Sequence, residues 1–242
     1  MRILHSTSIG ILSIIILSCQ PAPVKQEKKQ VAVTAPVTVK ENYDELKARI
    51  LATKIRLLKE KKSDSDQSNV KLNDSITNFW IKMIGIDLYA FWKGTPWDFN
   101  GTSSTPGKGT IACGYFVTTL LRDIGLSINR KQLSVLPSSE MMKKLCPRQR
   151  ITKLNEATTN WLEKLKDEGK GVYIIGLDYH TGFIVNDGLE IWFIHANYFG
   201  RQGVIKEKAA YSRALISSNT KWIISLTNDQ HLIQRWLEHN PY

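Results

Sequence analysis

The chain has 242 residues and carries 33 Lys and Arg against 22 Asp and Glu, a net charge of +11. Its 3 cysteines are too few to build a disulfide scaffold for a chain of this size. The length suits one domain plus a tether.

The first residues carry one cation, Arg2, and then an apolar run from Ile9 to Leu17. The run is short for a membrane span and has the form of a signal-peptide core. It ends in Ile16-Leu17-Ser18-Cys19, which resembles a bacterial lipobox, where a small residue precedes a Cys that is lipidated and becomes the mature N-terminus. That resemblance implies a lipoprotein signal peptide over 1–18, lipidation of Cys19 and a lipid-anchored periplasmic protein of the bacterial cell envelope. The alternative is an ordinary signal peptide in which Cys19 is incidental. Gln20 in place of Asp leans towards the outer membrane. A basic exported protein suits an anionic polymer such as the cell wall, or anionic lipid headgroups; the plain alternative is a solvated basic surface. Nucleic acid is not expected as a partner in that compartment.

Residues 20–40, rich in Pro, Val, Ala, Lys and Gln, read as a disordered tether. From Glu41 to Lys62 the apolar residues Tyr43, Leu46, Ile50, Leu57 and Leu58 fall near helical spacing. This amphipathic helix either packs on the domain, leaving a monomer, or mediates self-association. The catalytic-size domain is expected over 69–242. Asn73 or Asp74 is placed to cap a helix bearing Ile76, Phe79, Trp80, Met83, Ile84, Leu88 and Phe91, and Gly94-Thr95-Pro96 stops it. A Gly/Ser/Thr/Pro loop then leads to a helix that starts at Cys113, buries Phe116, Val117, Leu120, Leu121 and Ile124, and ends at Gly125. Another helix is expected over 155–168.

The remainder turns strand-rich: 171–178, 180–185, 189–195, 203–208 and 221–226, with a closing helix over 229–240. Asp187-Gly188 signals a two-residue hairpin turn. Helices first and an antiparallel meander second give an α+β fold.

Cys113 opens its helix, where backbone N–H groups favour an anion and so favour thiolate over thiol. His180 opens one strand of the hairpin and His195 closes its partner, so the two imidazoles come to the same end. A cysteine, a base and an orienting group are the parts that nucleophilic acyl transfer needs. Cys113 would attack a carbonyl carbon, His180 would take the thiol proton or sit with it as an ion pair, and His195 would orient His180. The Cys113 backbone N–H is placed as an oxyanion donor. Two other readings of these residues stand beside this one: a Cys113–Cys146 disulfide and a Cys/His/His zinc site, although the latter lacks close-spaced ligand pairs. The enzyme reading needs no cofactor and no metal.

The segment from Gly94-Thr95-Pro96-Trp97-Asp98-Phe99-Asn100-Gly101, with Ala112-Cys113-Gly114-Tyr115-Phe116-Val117, resembles the NlpC-type cell-wall peptidases, which are papain-like. His180-Thr181-Gly182-Phe183-Ile184-Val185 and Phe193-Ile194-His195-Ala196 resemble that family's two histidine strands. The resemblance covers roughly 80–226. It implies a papain-like α+β fold, a Cys113–His180–His195 triad and hydrolysis of amide bonds in peptidoglycan stem peptides. The chain departs from the family at Ala112, usually Asp, at Gly114, usually Ser, and at Trp97, usually Tyr. Ala112 weakens the expectation of a substrate with a free amine, and Trp97 removes a phenol near the nucleophile. Asp98 and Tyr179 are the candidates to supply a polar group there. The stretch 126–170 reads either as a wall or lid beside the substrate or as a plain surface insertion. Two functional alternatives accompany the resemblance: an inactive papain-like lipoprotein that binds wall or a partner, and a related amidase or acyltransferase on another substrate.

Overall fold

Apolar residues repeating every three to four positions close the first long helix, α1 (Tyr43–Ser63), over Leu46, Ile50 and Leu57, all buried. The structure is a computed structural model and describes residues 41–63 and 68–239. The signal peptide, Cys19, the tether and Asn240 lie outside the described residues. The helix expected from Asn73 or Asp74 starts earlier, so neither residue caps it. It runs as α2 (Ser68–Lys82), a π-turn (Met83–Asp87) and α3 (Leu88–Trp92). Gly94, at φ 77°, lets the chain leave it.

Next come α4 (Cys113–Asp123), α5 (Arg130–Ser134) and α6 (Ser138–Leu145). Leu120 and its apolar neighbours drive α4 into the core, and Gly125, at φ 96°, ends it. The short strand β1 (Thr152–Leu154) leads into α7 (Thr158–Asp167). The strands β2 (Gly171–Leu177), β3 (Thr181–Asn186), β4 (Ile191–Asn197) and β5 (Gly203–Lys208) follow. The chain closes with α8 (Arg213–Ser217), β6 (Lys221–Ser225) and α9 (Gln230–Glu238). The Asp229 carboxylate accepts from Leu232 N–H at 2.9 Å and caps α9.

The fold is α+β, with a six-stranded antiparallel sheet in the order β1-β6-β2-β3-β4-β5. The four strands β2 to β5 form the expected meander, and β6 returns to pair with β2 on its other side. Val172, Ile174, Phe183 and Val185 face the layer built by α1, α2 and α4. Tyr173, Ile175, Ile184 and Phe193 face α7 and α8 through Trp161, Leu162 and Leu215. Burial on both faces explains why β2 and β3 read as continuous apolar runs rather than alternating ones.

The expected two-residue turn at Asp187-Gly188 is instead a loop over 187–190. The Asp187 carboxylate accepts from the N–H groups of Leu189 at 2.9 Å and Glu190 at 2.8 Å, so the side chain, not a tight turn, sets the reversal. The register pairs Asn186 with Ile191 and Phe183 with Ile194. His195 therefore lies across from Gly182, with His180 displaced along the strand as a diagonal neighbour.

α1 is part of the compact unit, which begins at Glu41 rather than near Val70. Tyr43 Oη donates to Asp123 at 2.6 Å and accepts from Trp92 Nε1 at 2.8 Å. Lys54, 1 % exposed, donates to the carbonyls of Gly125 at 2.9 Å and of His239. The helix is thus fastened at its start and at its middle to the C-terminal ends of α4 and α9. Among the described residues no helix is long and apolar enough to cross a membrane.

Candidate active site

Ala112 has extended backbone (φ −78°, ψ 158°), so the chain turns into α4 at Cys113 and the thiol sits on the first turn. The loop before it is folded on itself: Ser103 N–H donates to Thr110 O, Ile111 N–H to Pro96 O and Ala112 N–H to Gly101 O, at 2.8–2.9 Å. Arg130, buried, holds this loop against α4. Its guanidinium donates to Thr119 Oγ1 at 2.6 Å and to the carbonyls of Thr102 and Ser103 at 3.1 and 2.6 Å, and it lies over the Tyr115 ring. The Gly114 departure has a steric cause. A Cβ there would stand 2.3 Å from the Ser134 carbonyl oxygen, so serine would push α5 away.

Cys113 is partly exposed and shares a cavity of about 710 Å³ with His180. One wall is Ser134, Leu136, Pro137, Ser138 and Ser139, between α4 and the body of α6. Part of the stretch 126–170 is therefore a wall beside the thiol, and not only a surface insertion. The rest of the stretch contains α7, the helix expected over 155–168, and β1 at the sheet edge, a strand the sequence reading did not place. The opposite side of the cavity is built by Leu177 to Thr181, with Asn219, Thr220 and Trp222.

The histidines form a line. His180 Nε2 and His195 Nδ1 are 2.7 Å apart, and His195 Nε2 lies 3.1 Å from Glu207 Oε1. His195 stacks on Phe193, with ring centroids 4.0 Å apart. Gly182 makes room for that stack, because a Cβ there would stand 2.8 Å from the His195 Cβ. His180 is 4 % and His195 0 % exposed. His180 Nδ1 is buried and has no hydrogen-bond partner among the described residues. No hydrogen bond joins it to the Cys113 thiol.

Burial holds the His180 imidazole well below the ordinary histidine range, and the neighbouring His195 adds to the effect. Burial also lowers His195, with Glu207 opposing. Cys113 corrects the expectation of a thiolate favoured by the helix start. Burial pushes its thiol up, and the N–H groups of Thr181, Gly114 and Cys113 only partly offset this. Both shifts favour neutral thiol and neutral imidazole over an ion pair.

The other expected residues separate. Tyr179, 94 % exposed, is on the cavity rim. Trp97 is half-buried with its ring 6.0 Å from Tyr198. Asp98 is exposed and accepts from Asn100 N–H at 2.8 Å, so it shapes the loop and does not line the cavity. Tyr198, which the sequence reading did not single out, brings a phenol ring 5.0 Å from His180, and its own ionisation is disfavoured by burial and by Cys113. Asp178 lines the cavity, but its carboxylate accepts from the N–H groups of Asn219 at 2.7 Å and Thr220 at 2.8 Å. Glu207 was also missed. Its strand was legible as 203–208, but only the register of β5 on β4 sets it diagonally beside His195.

Cys113 and Cys146 are separate free thiols. Cys146 is buried next to Asp229, and burial raises its pKa, with the carboxylate adding to it. Among the described residues no group of three or more His, Cys, Asp or Glu is disposed to hold a metal ion. No protein-family model, curated protein or solved structure matches the chain.

Proposed function

We propose that the chain is a cysteine hydrolase of amide bonds, with peptidoglycan stem peptides as substrate. The observation that carries this reading is a single cavity shared by a helix-start thiol and an imidazole. One nitrogen of the imidazole, Nε2, is held by a second histidine, and the other, Nδ1, is buried without a partner. A neutral His180 takes the proton from Cys113 as sulfur attacks the carbonyl carbon, then gives it to the leaving amine. The resulting thioester is hydrolysed by water activated by the same ring. The N–H of Cys113, on the first turn of α4, would stabilise the oxyanion. The choice of wall peptide rests on the family resemblance and the basic charge. A lipid on Cys19 would hold the enzyme at the envelope beside that substrate.

The reading is tested by incubating purified peptidoglycan with the parent and with Cys113→Ala and resolving the released fragments by mass spectrometry. Parent protein is expected to release peptide fragments at a rate about 1,000-fold or more above the variant. Equal rates would sink the proposal and leave a binding module. A thiol-dependent reaction on other amides, with wall left intact, would point instead to an amidase or acyltransferase on a non-wall substrate.

A further inference from the structure

The hydrogen-bond line does not stop at the second histidine, and its far end decides what the near end can do. Glu207 is half-buried on β5, and its carboxylate faces His195 Nε2 at 3.1 Å. Ser212 is 0 % exposed, its hydroxyl oxygen accepts from Leu215 N–H, and it also acts on the Glu207 carboxylate. Burial alone would raise the Glu207 pKa, but the hydrogen bonds from His195 and Ser212 outweigh it and hold the group below the usual carboxylate range.

An ionised carboxylate only accepts, so the proton between Glu207 and His195 is on His195 Nε2. A neutral imidazole carries one proton, so His195 Nδ1 is an acceptor. It must receive from His180 Nε2–H across 2.7 Å. His180 is also neutral, so its Nδ1 carries a lone pair, and this is the atom without a partner. The reverse arrangement would set two acceptors against each other at His195 Nε2 and Glu207. It would also place a proton on the one His180 nitrogen that is left without a partner.

We propose that Glu207 is a positioning residue that fixes the tautomers of His195 and His180 in series and so keeps His180 Nδ1 free as the base. It acts through His195 and touches no reacting atom. The inference rests on Cys113–His180 chemistry for its consequence, but not for its geometry.

The test uses the full-length chain labelled with ¹⁵N in histidine. Two-bond proton–nitrogen correlation spectra separate protonated from bare ring nitrogens, and His180→Gln and His195→Gln provide the assignments. In the parent at pH 7.5, both rings are expected to carry the proton on Nε2 and to leave Nδ1 bare. Glu207→Gln replaces an obligate acceptor by an amide that can donate, so it is expected to put a proton on His180 Nδ1 in a measurable fraction of molecules. In step with this, kcat is expected to fall about 100-fold with KM little changed, and Glu207→Asp is expected to recover part of it. A His180 protonated on Nδ1 in the parent overturns the proposal even if no variant folds. Unchanged tautomers in a folded Glu207→Gln overturn it too. If the tautomers switch while Cys113→Ala still digests wall at the parental rate, the relay stands and the hydrolase reading fails.

Discussion

Cys113 combines two opposed influences. The first turn of α4 offers N–H groups to the sulfur, and burial takes water away from it. Burial wins and favours the thiol, so in the proposed mechanism the activation falls to His180. Alkylation of Cys113 by iodoacetamide is therefore expected to be slow at pH 7 and to climb as pH rises through and above the ordinary thiol pKa of about 8.5. A rate that has already levelled off below pH 7 would show a stabilised thiolate instead. The residues that make this pocket possible include two without side chains. Gly114 admits the Ser134 carbonyl, and Gly182 admits the Phe193 ring and the His195 Cβ. Both were visible as departures or motif positions in the sequence, but the reason for each lies in a neighbour distant along the chain.

Among the elements, α1 has the largest structural consequence. Its amphipathic spacing is plain in the sequence, but spacing cannot say whether an apolar stripe meets its own domain or another chain. The structure answers through Tyr43, which ties α1 to Asp123 and Trp92, and through Lys54, which satisfies two carbonyls at helix ends. Leu46, Ile50 and Leu57 are each at most 1 % exposed. At about 1.5–3 kcal/mol per fully buried apolar side chain, they alone contribute an amount comparable to the 5–15 kcal/mol net stability of a typical domain. A chain beginning at Ser68 is accordingly expected to lose its cooperative thermal transition, as followed by far-UV circular dichroism. Retention of the parental melting temperature would show that α1 is dispensable. The hairpin teaches the complementary lesson. An Asp-Gly pair correctly marks a reversal, but Asp187 accepting from two N–H groups lengthens the loop and shifts the register. The histidines still meet, diagonally rather than face to face.

At the scale of the whole molecule, the buried histidine line couples folding to pH. His180 and His195 are neutral when folded but ordinary, near pKa 6.5, when unfolded. Below that pH the unfolded chain binds more protons, so stability falls as pH falls, by up to about 1.4 kcal/mol per pH unit for each such group. Glu207, held below its usual range, adds loss in the same direction at lower pH. Urea midpoints are expected to drop between pH 7.5 and 5.5, and His180→Gln is expected to flatten that drop; an equal slope in both proteins would count against a buried neutral His180. The sequence by itself determined the α+β order, most strands, the helix that opens at Cys113 and the convergence of two histidines. Hydrophobic period and glycine punctuation are local signals, and they survive without knowledge of the neighbours. Only the tertiary structure decided the thiol's raised pKa, the Ser134–Ser139 wall, Tyr198 beside His180 and Glu207 behind His195. Each of these depends on burial or strand register, which are set by contacts between residues far apart in the chain.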